Sequence, residues 1–225
     1  MTPLKLSLWA LGAWGAASLA VAAPELYTIE PMHTYPSFAA SHQGISFWRG
    51  KFTKTRGKIW LDREKGTGKV DITIDANSVD FGLPIMDKVA QGETLFNVEK
   101  YPTVTYKADS MTFKDGVPIK IHGELTLLGV TKPVPLEVAS FKCKMHPFLK
   151  REVCGAEARG EFNRTQFGMT REAEHDPKVS LIIDVEALKG EGVPPPPAGP
   201  PPGGMPPGGS MPGGPPPGAA PPGAP

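Results

Sequence analysis

Period-two alternation is the feature that most constrains this chain. Between Gly123 and Val138 the sequence GELTLLGVTKPVPLEV holds two short alternating runs joined by a turn at Gly129. Ile121, Gly123, Leu125 and Leu127 share one parity of the first run, and Val134, Leu136 and Val138 share one parity of the second. Successive side chains of a strand point to opposite faces, so such runs form a β-hairpin with one buried and one wet face. Almost nothing on the buried face can do chemistry. It is a wall, and the wall encloses either packed side chains or a ligand.

The same texture runs through the middle of the chain. Segments 26–29, 38–42, 58–61, 70–74, 104–108, 119–127, 134–138, 158–162 and 179–187 all read as strands. Turn material separates them at Lys65-Gly66-Thr67-Gly68, Asp115-Gly116, Gly129 and Asp176-Pro177. Short strands with hairpin-length links predict an all-β antiparallel barrel or sandwich. One segment departs from this. Residues 84–98 carry Ile85, Met86, Val89, Leu95 and Phe96 near helical spacing, which predicts one or two short helices beside or across the barrel.

Parity picks out the inward face: Phe38, Ala40 and His42; Val70, Ile72 and Ile74; Val104 and Tyr106; Ile121, Leu125 and Leu127; Leu181 and Ile183. The opposite parity carries Ser37, Ser41, Asp71, Thr73, Thr105, Lys107, His122, Glu124 and Asp184. That is a sheet with a single buried side. An eight-stranded barrel has an interior that side chains just fill, or that holds one small ligand.

The two ends of the chain differ from this middle. Lys5 precedes an uncharged apolar run over 6–19, and small residues follow at Ala20, Ala22 and Ala23. This is the layout of a secretory signal peptide over residues 1–22. The run is short for a bilayer span, so cleavage and no stable membrane anchor are expected. Residues 190–225 are almost entirely Pro, Gly, Ala and Met, with no charge after Glu191 and sixteen of the 27 prolines. Such a segment cannot bury enough surface to offset its ordering entropy, which predicts a disordered tail, partly extended as polyproline II. It is expected to be a spacer or a docking strip for an unidentified partner or the cell wall, or a solvated tail with no dedicated partner. Residues 23–189 are then one domain. The formal charge of +1, with no basic stripe, argues against a nucleic-acid partner.

Two cysteines, Cys143 and Cys154, flank His146-Pro147-Phe148, which is turn material. A disulfide across the base of a hairpin suits an oxidising compartment and would add about 3 kcal/mol in the chain-entropy picture. A free or redox-active pair has no CxxC spacing behind it.

No GxSxG, P-loop, GxGxxG or HExxH pattern occurs, so the chain is read as a non-enzyme. His33 and His42 could meet across neighbouring strands as a small metal or acid–base site, though no ligand spacing supports it. His42 on an apolar face is more simply a hydrogen-bonded interior residue or a contact for a ligand head group. Arg164 shares parity with Phe162, and an inward Arg must be paired or must meet a polar ligand group.

Several short motifs recur in a telling order. They are Pro31-Met32-His33-Thr34, Ser41-His42-Gln43-Gly44, Arg49-Gly50-Lys51-Phe52 and Asp75-Ala76-Asn77-Ser78-Val79. After them come Leu95-Phe96-Asn97-Val98-Glu99-Lys100-Tyr101-Pro102, then Gly123-Glu124-Leu125-Thr126 with Gly129-Val130-Thr131-Lys132-Pro133-Val134, and last Phe162-Asn163-Arg164-Thr165-Gln166-Phe167-Gly168. In this order they resemble the YceI-like family over residues 26–188. The resemblance implies a lipocalin-like antiparallel β-barrel of about eight strands, exported to the bacterial periplasm, that sequesters or carries a polyisoprenoid, a quinone-like lipid or a similar amphiphile without any cofactor. The cysteine pair matches a branch of the family whose loop is bridged. The inward set, apart from Val70, Val104 and Leu127, then becomes a cavity lining, extended by Phe52, Leu95, Phe96, Phe162, Arg164 and Phe167. Tyr35-Pro36 departs from the family pattern, and Pro36 predicts a second strand that begins late or lies at an edge. Two other readings stand beside the lipid carrier. One is an exported interaction module with a packed barrel and a binding tail. The other is a metal protein or small enzyme built on His33 and His42. Oligomeric state is open, a homodimer included.

Overall fold

The computed structural model describes residues 23–171 and 173–192. The expected signal peptide, and the tail beyond Gly192, lie outside the described residues. Twelve strands and one helix follow in chain order: β1 (Glu25–Ile29), β2 (Tyr35–His42), β3 (Ser46–Phe52), β4 (Thr55–Asp62), β5 (Thr67–Asp75), β6 (Val79–Asp80), α1 (Pro84–Gln91), β7 (Thr103–Lys114), β8 (Val117–Leu127), β9 (Val130–Pro133), β10 (Leu136–Met145), β11 (Glu152–Asn163) and β12 (Lys178–Lys189).

Eight of the strands, β1-β4-β5-β7-β8-β10-β11-β12, close into an antiparallel barrel when β12 returns to β1 through Tyr27↔Lys189 and Ile29↔Ala187. β12 is long enough to serve two partners. Its second half pairs β1, and its first half pairs β2 from Val179↔Ala40 to Asp184↔Tyr35. β2 continues the wall through β3, and β3 through the two residues of β6.

Turn chemistry sets the hairpins. Asp115 and Gly116 both have positive φ, 52° and 74°, between the paired ends Lys114↔Val117. That is the two-residue turn whose twist matches the strands it joins. Leu128 and Gly129 repeat it at 52° and 74° between β8 and β9.

The alternating hairpin at 123–138 is present, with a break in its second arm. β9 pairs β8 from Leu127↔Val130 to Glu124↔Pro133, and β10 resumes lower down at Leu136↔Ile121. Between them, flanked by Pro133 and Pro135, Val134 is fully buried and its N–H bonds the Gly123 carbonyl at 2.9 Å. The expectation of a late-starting or edge β2 is not met. β2 begins at Tyr35, and Pro36 stands opposite Ile183 of β12. On the other side pairing with β3 begins only at Ser37↔Lys51, so Pro36 sits where that ladder ends.

Buried side chains form two clusters. The larger gathers Phe52, Ile74, Phe96, Val104, Tyr106, Leu125 and Leu127 among others; the smaller holds Tyr27, Ile29, Leu61, Cys154 and Ala187. Ile59, Ile72 and Met111 pack against both. Cys143 and Cys154 stand directly opposite each other on β10 and β11, Cα atoms 4.0 Å apart, and are bonded. The barrel therefore has a filled end, stapled by the disulfide, and an opposite end bounded by the first half of β12.

Candidate functional site

At that opposite end the larger cluster does not close up. It surrounds an apolar cavity of about 270 Å³. Seven strands set its walls, Ile74 of β5 and Phe162 of β11 among them. β12 gives Val179, Leu181 and Ile183; β2 gives Phe38, Ala40 and His42; β3 gives Trp48 and Phe52. β7 and β8 give Val104, Tyr106, Leu125 and Leu127.

The remaining side is not sheet. Pro84 starts α1, and Met86 and Val89 on one face of it, with Leu95 and Phe96 just beyond, line the cavity. The helix period therefore carries the same apolar face that the strand period carries elsewhere.

The aromatic side chains form a connected frame. Phe38 meets Phe52, Phe81 and Phe96 with ring centroids 5.7, 5.6 and 5.8 Å apart, and Phe52 meets Phe96 at 5.3 Å. Most of these pairs are edge-on, the favoured geometry for rings that carry a quadrupole. Such interlocked rings hold a wall in place without filling the space it bounds.

Tyr106 shows how one missing side chain shapes the lining. Its ring lies over Gly123, where an added Cβ would fall 2.3 Å from the ring. The hydroxyl donates to the Val134 carbonyl at 2.9 Å, so the buried polar end is satisfied. Burial raises the Tyr106 pKa well above its ordinary value.

Polar groups on the lining are few and local. His42 packs edge-on against Trp48, centroids 4.9 Å apart. Arg164 is buried and Arg171 joins it on the lining. The segment after β11 puts Arg164 there. Asn163 accepts the Thr165 N–H at 2.9 Å and starts a short 3-10 turn, and Gly168, at φ 85°, stops it. Arg164 donates to the Asp176 carbonyl at 3.3 Å, and Arg171 to Thr94 Oγ1 at 3.1 Å. An apolar chamber with basic and imidazole groups on its lining is suited to an amphiphile.

Of the sixteen lining residues expected from sequence, Phe38, Ala40, His42, Phe52, Ile74, Leu95, Phe96, Tyr106, Leu125, Phe162, Arg164, Leu181 and Ile183 border the cavity. Three do not. Ile72 sits between the two clusters, Ile121 packs at the margin of the larger one, and Phe167 is buried behind Phe162 at 5.2 Å. Trp48, Phe81, Met86, Val89, Met169, Val179 and Arg171 line the cavity without having been singled out. Parity with Phe52 would have found Trp48, and the helical period already held Met86 and Val89. No period marks Met169 or Arg171, which lie on the irregular stretch before β12.

The pairing of His33 with His42 is not formed. The two flank β2 at opposite ends, roughly 25 Å apart along an extended strand. His33 instead meets Glu30 through Nδ1 at 2.5 Å.

Comparison with known proteins agrees with this architecture. The YceI-like domain matches residues 27–187. Protein YceI of Salmonella arizonae is 34% identical over 172 residues, spanning 76% of this chain and 89% of its own length. Protein YceI of Salmonella enteritidis matches to the same extent. Among solved structures, the YCEI protein of Campylobacter jejuni superposes with a TM-score of 0.57 at 25% identity, over 68% of this chain and 91% of its own. BcnA of Burkholderia cenocepacia gives 0.55 at 21%, over 68% and 95%. A polyisoprenoid binding domain of Saccharophagus degradans gives 0.53 at 13%, over 73% and 98%, a likeness of fold. With residues 27–187 matched by the family and a relative 34% identical along 89% of its own length, this chain belongs to the YceI-like family.

Proposed function

We propose that the protein holds one amphiphilic lipid, a polyisoprenoid or a quinone-like prenyl lipid, inside its barrel and shields it from water in an exported, oxidising compartment. The observation that carries this reading is the cavity of about 270 Å³, bounded by five phenylalanines and aliphatic side chains, where a packed barrel would have none. Support comes from the fold shared with the Saccharophagus degradans polyisoprenoid binding domain. The disulfide and the apolar N-terminal run agree with export.

Each methylene taken from water contributes roughly 0.8 kcal/mol, so a chain of a few prenyl units reaches micromolar affinity after association costs. The wall distinguishes isoprenoid from acyl chains weakly. Selection by head group rests on His42, Arg164 and Arg171. The reading asks for binding and release, and for no bond to form or break.

Mass spectrometry of a solvent extract of the purified protein tests it. A stoichiometric prenyl or quinone lipid, or uptake of added prenol by the extracted protein, is expected. An extract without lipid, together with no uptake of added prenol, overturns the proposal.

A further inference from the structure

We propose that the binding site is bipartite: a chain too long for the cavity leaves it past Phe81 and lies in a groove on the outer face of β2, β3 and β12. The inference rests on the lipid reading above and adds where the rest of the chain goes.

A dry apolar cavity of about 150 Å³ holds one benzene ring, so one of about 270 Å³ holds roughly eleven carbons. Any prenyl chain of about three units or more outgrows it. Something must receive the remainder, or long chains gain nothing over short ones.

β3 has a partner on its β6 side only at Lys51↔Asp80 and Phe52↔Val79. From Gly50 back to Ser46 that edge carries no strand among the described residues. Gly50 faces the interior and has no side chain, and its place is taken by the rings of Phe38 and Phe81. An added Cβ would fall 2.8 Å from Phe38 and 3.0 Å from Phe81. Beside the unpaired edge of β3, the rings of Phe38 and Phe81 border both the cavity and the outer face. Phe81 follows β6 and precedes Gly82, whose φ is +74°. Rotating such a ring opens a path without breaking a ladder hydrogen bond.

An open groove of about 550 Å³ is bordered by the outward residues Ala39, Phe47, Arg49 and Ile182. It shares Ser37, Phe38 and Phe81 with the cavity. Phe47 and Ile182 remain 61% and 43% exposed, an apolar strip that follows directly from the portal. Arg49 lies over the Phe47 ring at 5.8 Å, and Lys51 meets Asp80 at 3.9 Å, so the strip has a polar rim. Cavity, ring gate and groove therefore form one continuous apolar track for one chain.

Binding of two prenols of the same chemistry tests this, with geraniol short enough for the cavity and geranylgeraniol twice its length. The probes are titrated into the lipid-free full-length protein, into Ala39→Trp and into Ile182→Asp. Both substitutions are on the groove and off the cavity lining. The wild-type protein is expected to prefer the long prenol by at least about tenfold, since each further buried methylene adds a factor of about four before ordering losses. Both variants should lose that preference while binding geraniol within about twofold of wild type.

Wild type binding both prenols with variants that retain the long-chain preference overturns the groove and leaves the cavity reading standing. Equal loss for both prenols, or a change of oligomeric state in the variants, also overturns it, the latter by making a second copy the occupant. A wild-type protein that binds neither prenol overturns both readings. Should the variants misfold by circular dichroism, a long prenol with a terminal diazirine decides the matter on the wild-type protein. Crosslinks at Ala39, Phe47 or Ile182 support the track, and crosslinks confined to cavity residues overturn it.

Discussion

Gly123 and Tyr106 are opposite halves of one packing decision. The aromatic ring occupies the volume where a Cβ of residue 123 would stand, 2.3 Å from the ring carbon and the hydroxyl. Gly123→Ala therefore displaces the ring and breaks its bond to the Val134 carbonyl. We expect a loss of about 2 to 4 kcal/mol in urea unfolding, from overpacking and the stranded carbonyl together. Combining it with Tyr106→Leu should recover part of that loss, because the pair shares one contact. Strict additivity would show that the ring is not what the methyl meets. The same ring, with Tyr27, governs alkaline behaviour. Tyr27 is raised by burial and by the Glu152 and Glu25 carboxylates, to which its hydroxyl donates at 2.6 and 2.9 Å. Tyr106 is raised by burial. An unfolded tyrosine loses its proton near pH 10, whereas these two keep theirs when folded. Their contribution is complete below about pH 10 and is lost as pH climbs beyond it, by at most about 1.4 kcal/mol per pH unit for each. Urea midpoints followed across this range should fall less steeply in Tyr106→Phe. An unchanged slope in both Tyr106→Phe and Tyr27→Phe would remove the two tyrosines from the account.

Elements show what a sequence discloses and what it hides. Stretches of unbroken parity, such as β5, β12, Val104–Ala108 of β7 and Ile121–Leu127 of β8, can be read from the chain, and so can the helical period of α1. β3 cannot, because its inward positions are Trp48, Gly50 and Phe52 while Phe47 faces outward, so apolar and polar do not alternate. The far half of β10 hides for another reason: the register shifts between Val138 and Ser140, and parity changes across the bulge. Of the site, the strand-borne lining was legible, and the part carried by the irregular segment at Met169 and Arg171 was not. The β10–β11 hairpin also carries the disulfide, and its effect can be isolated. Cys143→Ser with Cys154→Ser should cost about 3 kcal/mol, or about 10 °C in melting temperature for a domain of this size. Prenol affinity should stay unchanged, because Cys154 belongs to the smaller cluster at the filled end. A parallel loss of affinity would mean that the two ends are not mechanically separate.

At the scale of the whole molecule, the division into a filled and a hollow end says where the chain can be cut. Three residues past β12 are still tied to the barrel at its filled end. The Gly190 N–H bonds the Leu26 carbonyl at 2.6 Å, and Thr28 donates to the Gly190 carbonyl at 2.7 Å. Arg151 reaches the Lys189 and Gly192 carbonyls at 2.7 and 2.9 Å. The Lys58–Glu191 pair, 2.9 Å apart, is exposed and adds little. Truncation after Gly192 should therefore leave stability within about 0.5 kcal/mol of the full chain. Truncation after Lys189 removes several backbone partners and should cost about 1 to 3 kcal/mol. Gly190, Glu191 and Gly192 do not line the cavity, and lipid uptake should survive both cuts, measured by prenol titration beside urea unfolding. A loss of uptake on the first cut would make residues beyond Gly192 part of the site. Equal stability after both cuts would show that water serves the Leu26 carbonyl and Arg151 as well as the chain does, and the barrel would then end at Lys189.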